Sequence, residues 1–259
     1  MKKLSGLLAL FVFFFDTLAF AEQRPLVVLV HGANFSKNSW SLVQKDLSNM
    51  GIETDAPDLY NAQEKVNLAD VSSRLCTEIR KVNRPVTLVG HSQGGAIITV
   101  AANECGNLIG AMIYVAAVYP LPGTGVFDLL SDVDNQYYNT CGYLDEKANT
   151  YNLKDLESCK KVFMQDATQV QAERFFKTMV NEPASIGNSK VDYTPEKLVS
   201  IPKYYIQTRD DLIISKATQD KIIATSDIKK TYLIESSHSP FIKQHLGLSQ
   251  FIIEILGNE

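Results

Sequence analysis

A serine flanked by glycines, in the motif Gly90-x-Ser92-x-Gly94, constrains this chain more than any other stretch. The β-branched, apolar run from Val86 to Val89 precedes it and predicts a buried strand, and the run from Ala96 to Ala102 predicts a helix. A serine on a sharp turn between strand and helix takes a strained backbone and projects its hydroxyl, and side chains two residues away would collide with neighbouring backbone. The motif predicts Ser92 as a catalytic nucleophile, with a structural serine as the alternative.

The turn after the first predicted strand supplies a second signal. Leu26 to Val30 is a continuous apolar run, typical of a parallel strand covered on both faces, and it leads into His31-Gly32-Ala33. In acyl-transfer enzymes of this design, the backbone N–H groups after that glycine and after the nucleophile hold the oxyanion. Ala33 and Gln93 are therefore the predicted donors, and His31 is predicted to brace the turn.

Strands and helices alternate along most of the chain. Further strands are predicted at Ile52 to Ala56, Leu108 to Val118, Lys203 to Thr208 and Tyr232 to Ile234, and helices at Ser39 to Met50, Asn67 to Asn83 and Phe241 to Leu256. This alternation predicts an α/β fold with a mostly parallel central sheet flanked by helices. Residues 123–198 lack a clear strand pattern, so we predict a helical cap inserted there, after the fourth strand.

Polar residues follow the last two predicted strands. Asp210 and Asp211 come soon after Thr208, and His238 comes soon after Ile234. Open α/β sheets build their sites at the carboxyl ends of strands, and the chain order Ser, Asp, His is the one expected for this fold. We predict a catalytic triad of Ser92, His238 and one aspartate; a solvated turn and a capping histidine are the alternatives.

Together these motifs resemble the α/β-hydrolase superfamily, and within it the plant methylesterase and hydroxynitrile lyase family with its bacterial esterase relatives. The resemblance covers most of the chain and rests on four stretches: Leu29 to Ala33, Gly90 to Gly95, Ile201 to Thr208 and Ser237 to Phe241. In that family the acid lies eight residues before a glutamine that opens the next helix, so Gln219 implies Asp211, with Asp210 in reserve. The chain departs from the family at Ser215, where proline is usual, and in its cysteine pairs and signal sequence.

The resemblance implies a serine hydrolase that cleaves a small-molecule carboxylic ester through an acyl-enzyme and uses no cofactor. Hydroxynitrile lyases of the family have threonine where this chain has Gly32 and lysine where it has Ser239, which disfavours lyase chemistry here. A cap lysine, such as Lys154 or Lys160, keeps that alternative open. A slow-turnover ligand receptor on the same fold is the other alternative.

The first 21 residues predict a secretory signal peptide: a basic start at Lys2-Lys3, a twelve-residue apolar run from Leu4 to Phe15, and the cleavage signature Ala19-Phe20-Ala21. Twelve apolar residues are too few to span a bilayer, so no stable membrane anchor is expected. Residues 22–259 then form one α/β-hydrolase domain, periplasmic or secreted. The formal net charge of −4 and the lack of a basic block argue against a nucleic-acid partner.

Four cysteines form an even set in a chain that we expect to reach an oxidising compartment. Cys141 and Cys159 both lie in the polar middle of the chain, and Cys76 and Cys105 lie near the ends of two predicted helices that flank the third strand. We predict disulfides 76–105 and 141–159, with four buried thiols as the alternative. No Cys-x-x-Cys pair or histidine cluster has metal-binding spacing, so no metal site is expected.

Overall fold

The computed structural model describes residues 25–82 and 84–257. The predicted signal peptide, residues 1–21, and the predicted mature N-terminus, Glu22, lie outside this part of the chain. Within the described residues, no helix has both the length and the apolar character needed to cross a bilayer.

The strands of the described region form two sheets. In chain order they are β1 (Leu26–Val30), β2 (Thr54–Asp55), β3 (Val86–His91), β4 (Ile109–Val115), β5 (Gly142–Asp145), β6 (Thr150–Leu153), β7 (Glu182–Pro183), β8 (Lys203–Thr208) and β9 (Lys230–Ile234). Six of them form a parallel sheet in the order β2-β1-β3-β4-β8-β9. Because every pair in that sheet is parallel, the carboxyl ends of its strands all meet at one edge.

Helices connect these strands and cover the sheet. They are α1 (Ser41–Asn49), α2 (Leu68–Arg80), α3 (Gly94–Cys105), α4 (Asp132–Cys141), α5 (Leu156–Phe163), α6 (Gln169–Phe176), α7 (Ala184–Gly187), α8 (Lys216–Ala224), α9 (Pro240–Lys243) and α10 (His245–Leu256). In the central sheet, β1, β3 and β8 are buried along their whole length, as the continuous apolar runs of β1 and β3 predicted. On the edge strand β9, Lys230, Thr231 and Leu233 are exposed.

Among neighbouring strands of the central sheet, β4 and β8 are the farthest apart in the chain. Met112 lies opposite Lys203, and Val115 lies opposite Ile206. The whole segment 123–198 leaves the sheet between these two neighbouring strands. This segment, which we call the cap, therefore begins after the carboxyl end of β4 and ends before the amino end of β8.

The cap contains helices α4 to α7, as predicted, but also the antiparallel sheet β5-β6-β7, which the sequence did not predict. Its strands are only two to four residues long, and their residues do not alternate between apolar and polar. The β5–β6 hairpin turns through Asn149, which takes a left-handed φ of 54°. Backbone pairing within the cap, and not a hydrophobic face, therefore defines these strands.

The start of α1 also differs from the prediction. Ser39 is not the N-cap; it lies in a 3-10 turn, Lys37–Trp40, and its hydroxyl donates to the Ser36 carbonyl at 2.7 Å. The N-cap position belongs to Trp40, which is fully buried with its ring 5.3 Å from that of Phe241. The α-helix therefore begins at Ser41, after a 3-10 turn that places Trp40 in the core.

The structure has the two disulfides that the sequence predicted. Cys76–Cys105 joins α2 to α3, the helices that precede and follow β3 in the chain. Cys141–Cys159 joins the end of α4 to α5 within the cap. No cysteine of the described residues is free. One bridge therefore constrains the body of the domain and the other constrains the cap.

Candidate active site

Ser92 lies on the turn between β3 and α3, and its backbone is in the left-handed region at φ 54°. A Cβ at Gly90 would lie 2.7 Å from the Gly94 carbonyl oxygen, and a Cβ at Gly94 would lie 2.6 Å from that of Val30. Both glycines are therefore required by close approach of backbone to backbone. The Ser92 N–H donates to the Val115 carbonyl of β4 at 3.2 Å, which holds the strained turn.

Asp211 and His238 form a buried pair at the ends of β8 and β9. Asp211 Oδ2 lies 2.8 Å from His238 Nδ1, and both side chains are fully buried. The Asp211 carboxylate also accepts hydrogen bonds from the Thr208 hydroxyl at 2.9 Å and from two backbone N–H groups, those of Ile213 and Ile214, at 2.8 and 2.9 Å. These donors stabilise an ionised carboxylate next to the imidazole.

Of the two predicted acids, the structure brings Asp211 to His238. Asp210 is exposed, and its backbone N–H donates to the Ser236 carbonyl at 3.0 Å. His238 Nε2 is buried and has no hydrogen-bond partner among residues 25–82 and 84–257. That nitrogen is free to accept a proton from a hydroxyl.

His91, the residue before Ser92, packs against His238, with ring centroids 4.7 Å apart. Its Nε2 lies 2.8 Å from the His238 backbone carbonyl, so it holds the histidine-bearing loop against the serine turn. Burial, together with the neighbouring His238, holds the pKa of His91 well below its usual range. The neutral His91 ring is packed in the turn.

The two predicted oxyanion donors lie on adjacent turns. A Cβ at Gly32 would lie 2.6 Å from Ser92 Cβ, so the turn that carries Ala33 is in van der Waals contact with the turn that carries Ser92. Neither the Ala33 N–H nor the Gln93 N–H has an acceptor within the described part of the chain. Gln93 also opens the twelve-residue helix α3, whose amino-terminal dipole favours negative charge. This arrangement is suited to binding an oxyanion.

A small cavity of about 30 Å³ lies beside Ser92. Its lining is mostly apolar and comes from the turns at Ser92 and Ala33, the cap and the loop after Asp211: Ala33, Ser92, Phe127, Leu130, Asn135, Tyr138, Ile213 and Ile214. Pockets that hold drug-sized ligands measure roughly 300–1,000 Å³, so this cavity has to enlarge before a ligand of that size can reach Ser92.

Asp134 fixes the cap wall of this cavity. It caps α4 together with Ser131, and its Oδ1 accepts the Ser215 N–H at 3.2 Å. Its other carboxylate oxygen accepts the hydroxyl of Thr218 on α8. The bond to position 215 depends on the departure noted in the sequence, because a proline there has no N–H to donate.

Three residues at the site carry no signal in the sequence: Asn34, Tyr138 and Glu182. Glu182 Oε2 accepts a hydrogen bond from the Asn34 N–H at 3.0 Å, and Tyr138 Oη donates to Asn34 Oδ1 at 2.8 Å. These partners lie 148 and 104 residues apart in the chain, so no local spacing could reveal them. The described residues hold no group of three or more His, Cys, Asp or Glu side chains that could bind a metal ion.

Comparisons with known proteins agree on one family. The model of the alpha/beta hydrolase family matches residues 27–247. The pFDCC methylesterase MES16 of Arabidopsis thaliana is 24% identical over 253 residues, which cover 90% of this chain and 95% of that protein. Its crystal structure matches with a TM-score of 0.75 at 20% identity, over 91% of this chain and all of that chain. An extracellular alpha/beta-hydrolase from a Paenibacillus species matches with a TM-score of 0.77 at 20% identity, over 89% and 98% of the two chains.

Proposed function

The chain belongs to the alpha/beta hydrolase family, and from that membership we propose that it hydrolyses carboxylic esters with Ser92 as nucleophile, His238 as base and Asp211 as the acid that orients it. This membership confirms the predicted fold class. The observation that carries the proposal is the buried Asp211–His238 pair, 2.8 Å apart, whose histidine packs against His91, the residue before a serine held at φ 54°.

In the proposed mechanism, His238 Nε2 takes the Ser92 proton as the hydroxyl oxygen attacks the ester carbonyl carbon. The carbonyl oxygen becomes an oxyanion, which accepts hydrogen bonds from the Ala33 and Gln93 N–H groups. When the tetrahedral intermediate collapses, the alkoxide leaves with the proton from His238, and Ser92 carries the acyl group. A water molecule then attacks the acyl carbon as His238 takes its proton, and the carboxylic acid product leaves as His238 returns a proton to Ser92. Asp211 stabilises the imidazolium in both halves of the reaction.

The substrate class that fits best is a small or medium ester with an apolar part. Phe127, Leu130, Ile213 and Ile214 supply apolar surface beside Ser92. The plant relatives are methylesterases by name, which supports a carboxylic ester as the reacting group.

Lyase chemistry is less compatible with this geometry. A threonine at position 32 would place its Cβ 2.6 Å from Ser92 Cβ, so the turn would have to move. Hydroxynitrile lyases of the plant family have a lysine directly after the catalytic histidine, where this chain has Ser239. Neither cap lysine considered as a substitute, Lys154 or Lys160, lines the cavity at Ser92.

One set of assays separates the three functions. The purified protein is given p-nitrophenyl esters of increasing acyl length and simple methyl esters, is labelled with a fluorophosphonate, and is incubated with mandelonitrile. We expect Ser92 to be labelled and at least one ester to be turned over many times per active site. Labelling with negligible turnover of every ester indicates a receptor. Cyanide release faster than ester hydrolysis indicates a lyase, and a folded protein that is not labelled contradicts the nucleophile.

We also propose that the protein is exported and matures at Glu22. Export supports disulfide formation, because oxidising compartments allow the bridges Cys76–Cys105 and Cys141–Cys159 to persist. The intact mass of protein recovered from the periplasm or medium is expected to show the loss of residues 1–21 and of four thiol hydrogens. Retention of residues 1–21 contradicts export, and four alkylatable thiols contradict the bridges; neither result bears on ester hydrolysis.

A further inference from the structure

Glu182, on β7 of the cap, is a carboxyl group buried without a cation. Its side chain is only 2% exposed, and none of the ion pairs among the described residues includes it. Burying a carboxyl group without a counter-ion costs free energy unless hydrogen bonds compensate. The hydrogen bonds that compensate the burial of Glu182 therefore indicate its structural role.

One oxygen of Glu182 accepts hydrogen bonds from three donors. Oε2 lies 3.0 Å from the Asn34 backbone nitrogen, 3.2 Å from Tyr60 Oη and 3.4 Å from Gln93 Nε2. Asn34 follows Ala33, and Gln93 follows Ser92. A single carboxyl oxygen thus contacts both chain segments whose backbone amides are the proposed oxyanion donors.

The Asn34 end of this bridge is held firmly to the cap. Its carbonyl accepts the Val180 N–H at 3.0 Å, and its side-chain amide donates to the carbonyls of Tyr151 and Val180 at 3.0 and 2.9 Å. Asn34 is itself in the left-handed region, at φ 60°. Because the Asn34 N–H belongs to the same peptide unit as the Ala33 carbonyl, fixing it fixes the orientation of the turn at Ala33.

We propose that Glu182 is a positioning residue of the oxyanion hole. Its carboxyl oxygen sets the separation between the turn that carries the Ala33 N–H and the turn that carries the Gln93 N–H. The inference rests on the proposed ester hydrolysis, and it makes the cap part of the catalytic machinery as well as a cover over the substrate.

The groups that face Glu182 do not change charge near neutral pH. They are the phenols of Tyr60, Tyr138 and Tyr151, whose pKa values are raised mainly by burial. His31 lies behind them, against the Tyr60 ring, and burial lowers its pKa. Burial raises the pKa of Glu182 to about 7, against the opposing effect of its three hydrogen-bond donors. Glu182 is therefore the group in this cluster that titrates in the neutral range.

The test compares E182A with E182Q. Alanine removes the bridge, so we expect kcat and kcat/KM for a p-nitrophenyl ester to fall about ten- to a hundredfold while KM changes little, because only the transition state uses the oxyanion donors. Affinity for a trifluoromethyl ketone that forms an oxyanion at Ser92 is expected to fall by a similar factor. E182Q keeps an oxygen that accepts the Asn34 N–H, and its kcat is expected to stay within about threefold of wild type.

The matched control is S185A. The Ser185 hydroxyl donates to the Val66 carbonyl at 2.7 Å, so this variant removes a cap-to-body hydrogen bond without touching either oxyanion turn. We expect S185A to keep its kcat even if its unfolding temperature falls. If E182A proves unfolded, E182D replaces it, since the shorter side chain cannot span both turns.

The outcomes separate this inference from the proposed function. Wild type that hydrolyses esters, with E182A or E182D unchanged in kcat, overturns the positioning role alone. A fall in E182A matched by equal falls in E182Q and S185A overturns it as well, because any loosened cap then suffices. Wild type without ester hydrolysis overturns both.

A stability measurement gives a second check. Since the pKa of Glu182 is higher in the folded protein than its ordinary value of 4.5, its contribution to stability is complete below pH 4.5 and is lost as pH rises through 7. The unfolding temperature of E182Q minus that of wild type is therefore expected to increase between pH 5 and pH 8. A difference that is constant with pH contradicts the buried carboxyl group on which the bridge depends.

Discussion

Replacing Ser92 by alanine is expected to lower kcat for ester hydrolysis by about 10⁴-fold or more, because no other group takes over nucleophilic attack. The fold should survive the change. Both residues carry a Cβ, so alanine meets the same backbone strain at φ 54°, and the N–H bond to Val115 is unaffected. Hydrolysis of a p-nitrophenyl ester, measured with enzyme purified separately from wild type, gives the ratio directly.

The chain offers a matched control for this change. Ser249 on α10 is also buried, and its hydroxyl has no partner among the described residues. S249A removes the same atom from a comparable environment away from the nucleophile turn, and we expect it to retain wild-type kcat. A folded S92A variant with wild-type activity would rule out the proposed mechanism.

The substitution D211N is expected to lower kcat by about 10³- to 10⁴-fold. The asparagine oxygen can still accept the N–H groups of Ile213 and Ile214 that Asp211 Oδ1 accepts now. Its amide nitrogen would then face His238 Nδ1, in the place of the carboxylate oxygen. The imidazole would have to accept there, which moves its proton to Nε2, and Nε2 could no longer take the proton of Ser92.

The neighbouring D210N is the built-in control for that experiment. D210N makes the same carboxylate-to-amide change at the preceding residue, whose side chain is exposed. We expect D210N to keep kcat within about twofold of wild type, since substitutions at exposed positions that do not contact His238 have small effects. A large loss in D210N with little change in D211N would reverse the assignment of the acid.

The parts of the fold that could be predicted from the sequence are those that local physics determines. The predicted bounds of β1 and β8 match the structure, because buried strands are continuous runs bounded by turn residues. The second strand is shorter than predicted, because only Thr54 and Asp55 pair with β1 at the edge of the sheet. The predicted helix from Phe241 is interrupted at Gln244, which joins α9 to α10.

The parts that could not be predicted depend on contacts across the chain. Among the candidate site residues, Ser92, Asp211 and His238 were identifiable because each follows a strand end. Glu182 was not, because nothing near Asn181-Glu182-Pro183 shows that a carboxyl group will be buried against two distant turns. The small cap sheet was missed because its strands are two to four residues long and do not alternate between apolar and polar residues.

The pairing of β4 with β8 has a consequence for how the enzyme comes into being. Met112 and Lys203 meet across the entire cap, so forming this pair closes a loop of about 90 residues, the kind of non-local contact that slows folding. During synthesis the nucleophile turn leaves the ribosome long before the acid and the histidine. By the proposed mechanism, a truncated or half-folded chain holds Ser92 without its base, His238, and we expect it to hydrolyse no ester. Recovery of hydrolysis after denaturation would accordingly mark the last step of assembly, later than any signal from the helices alone.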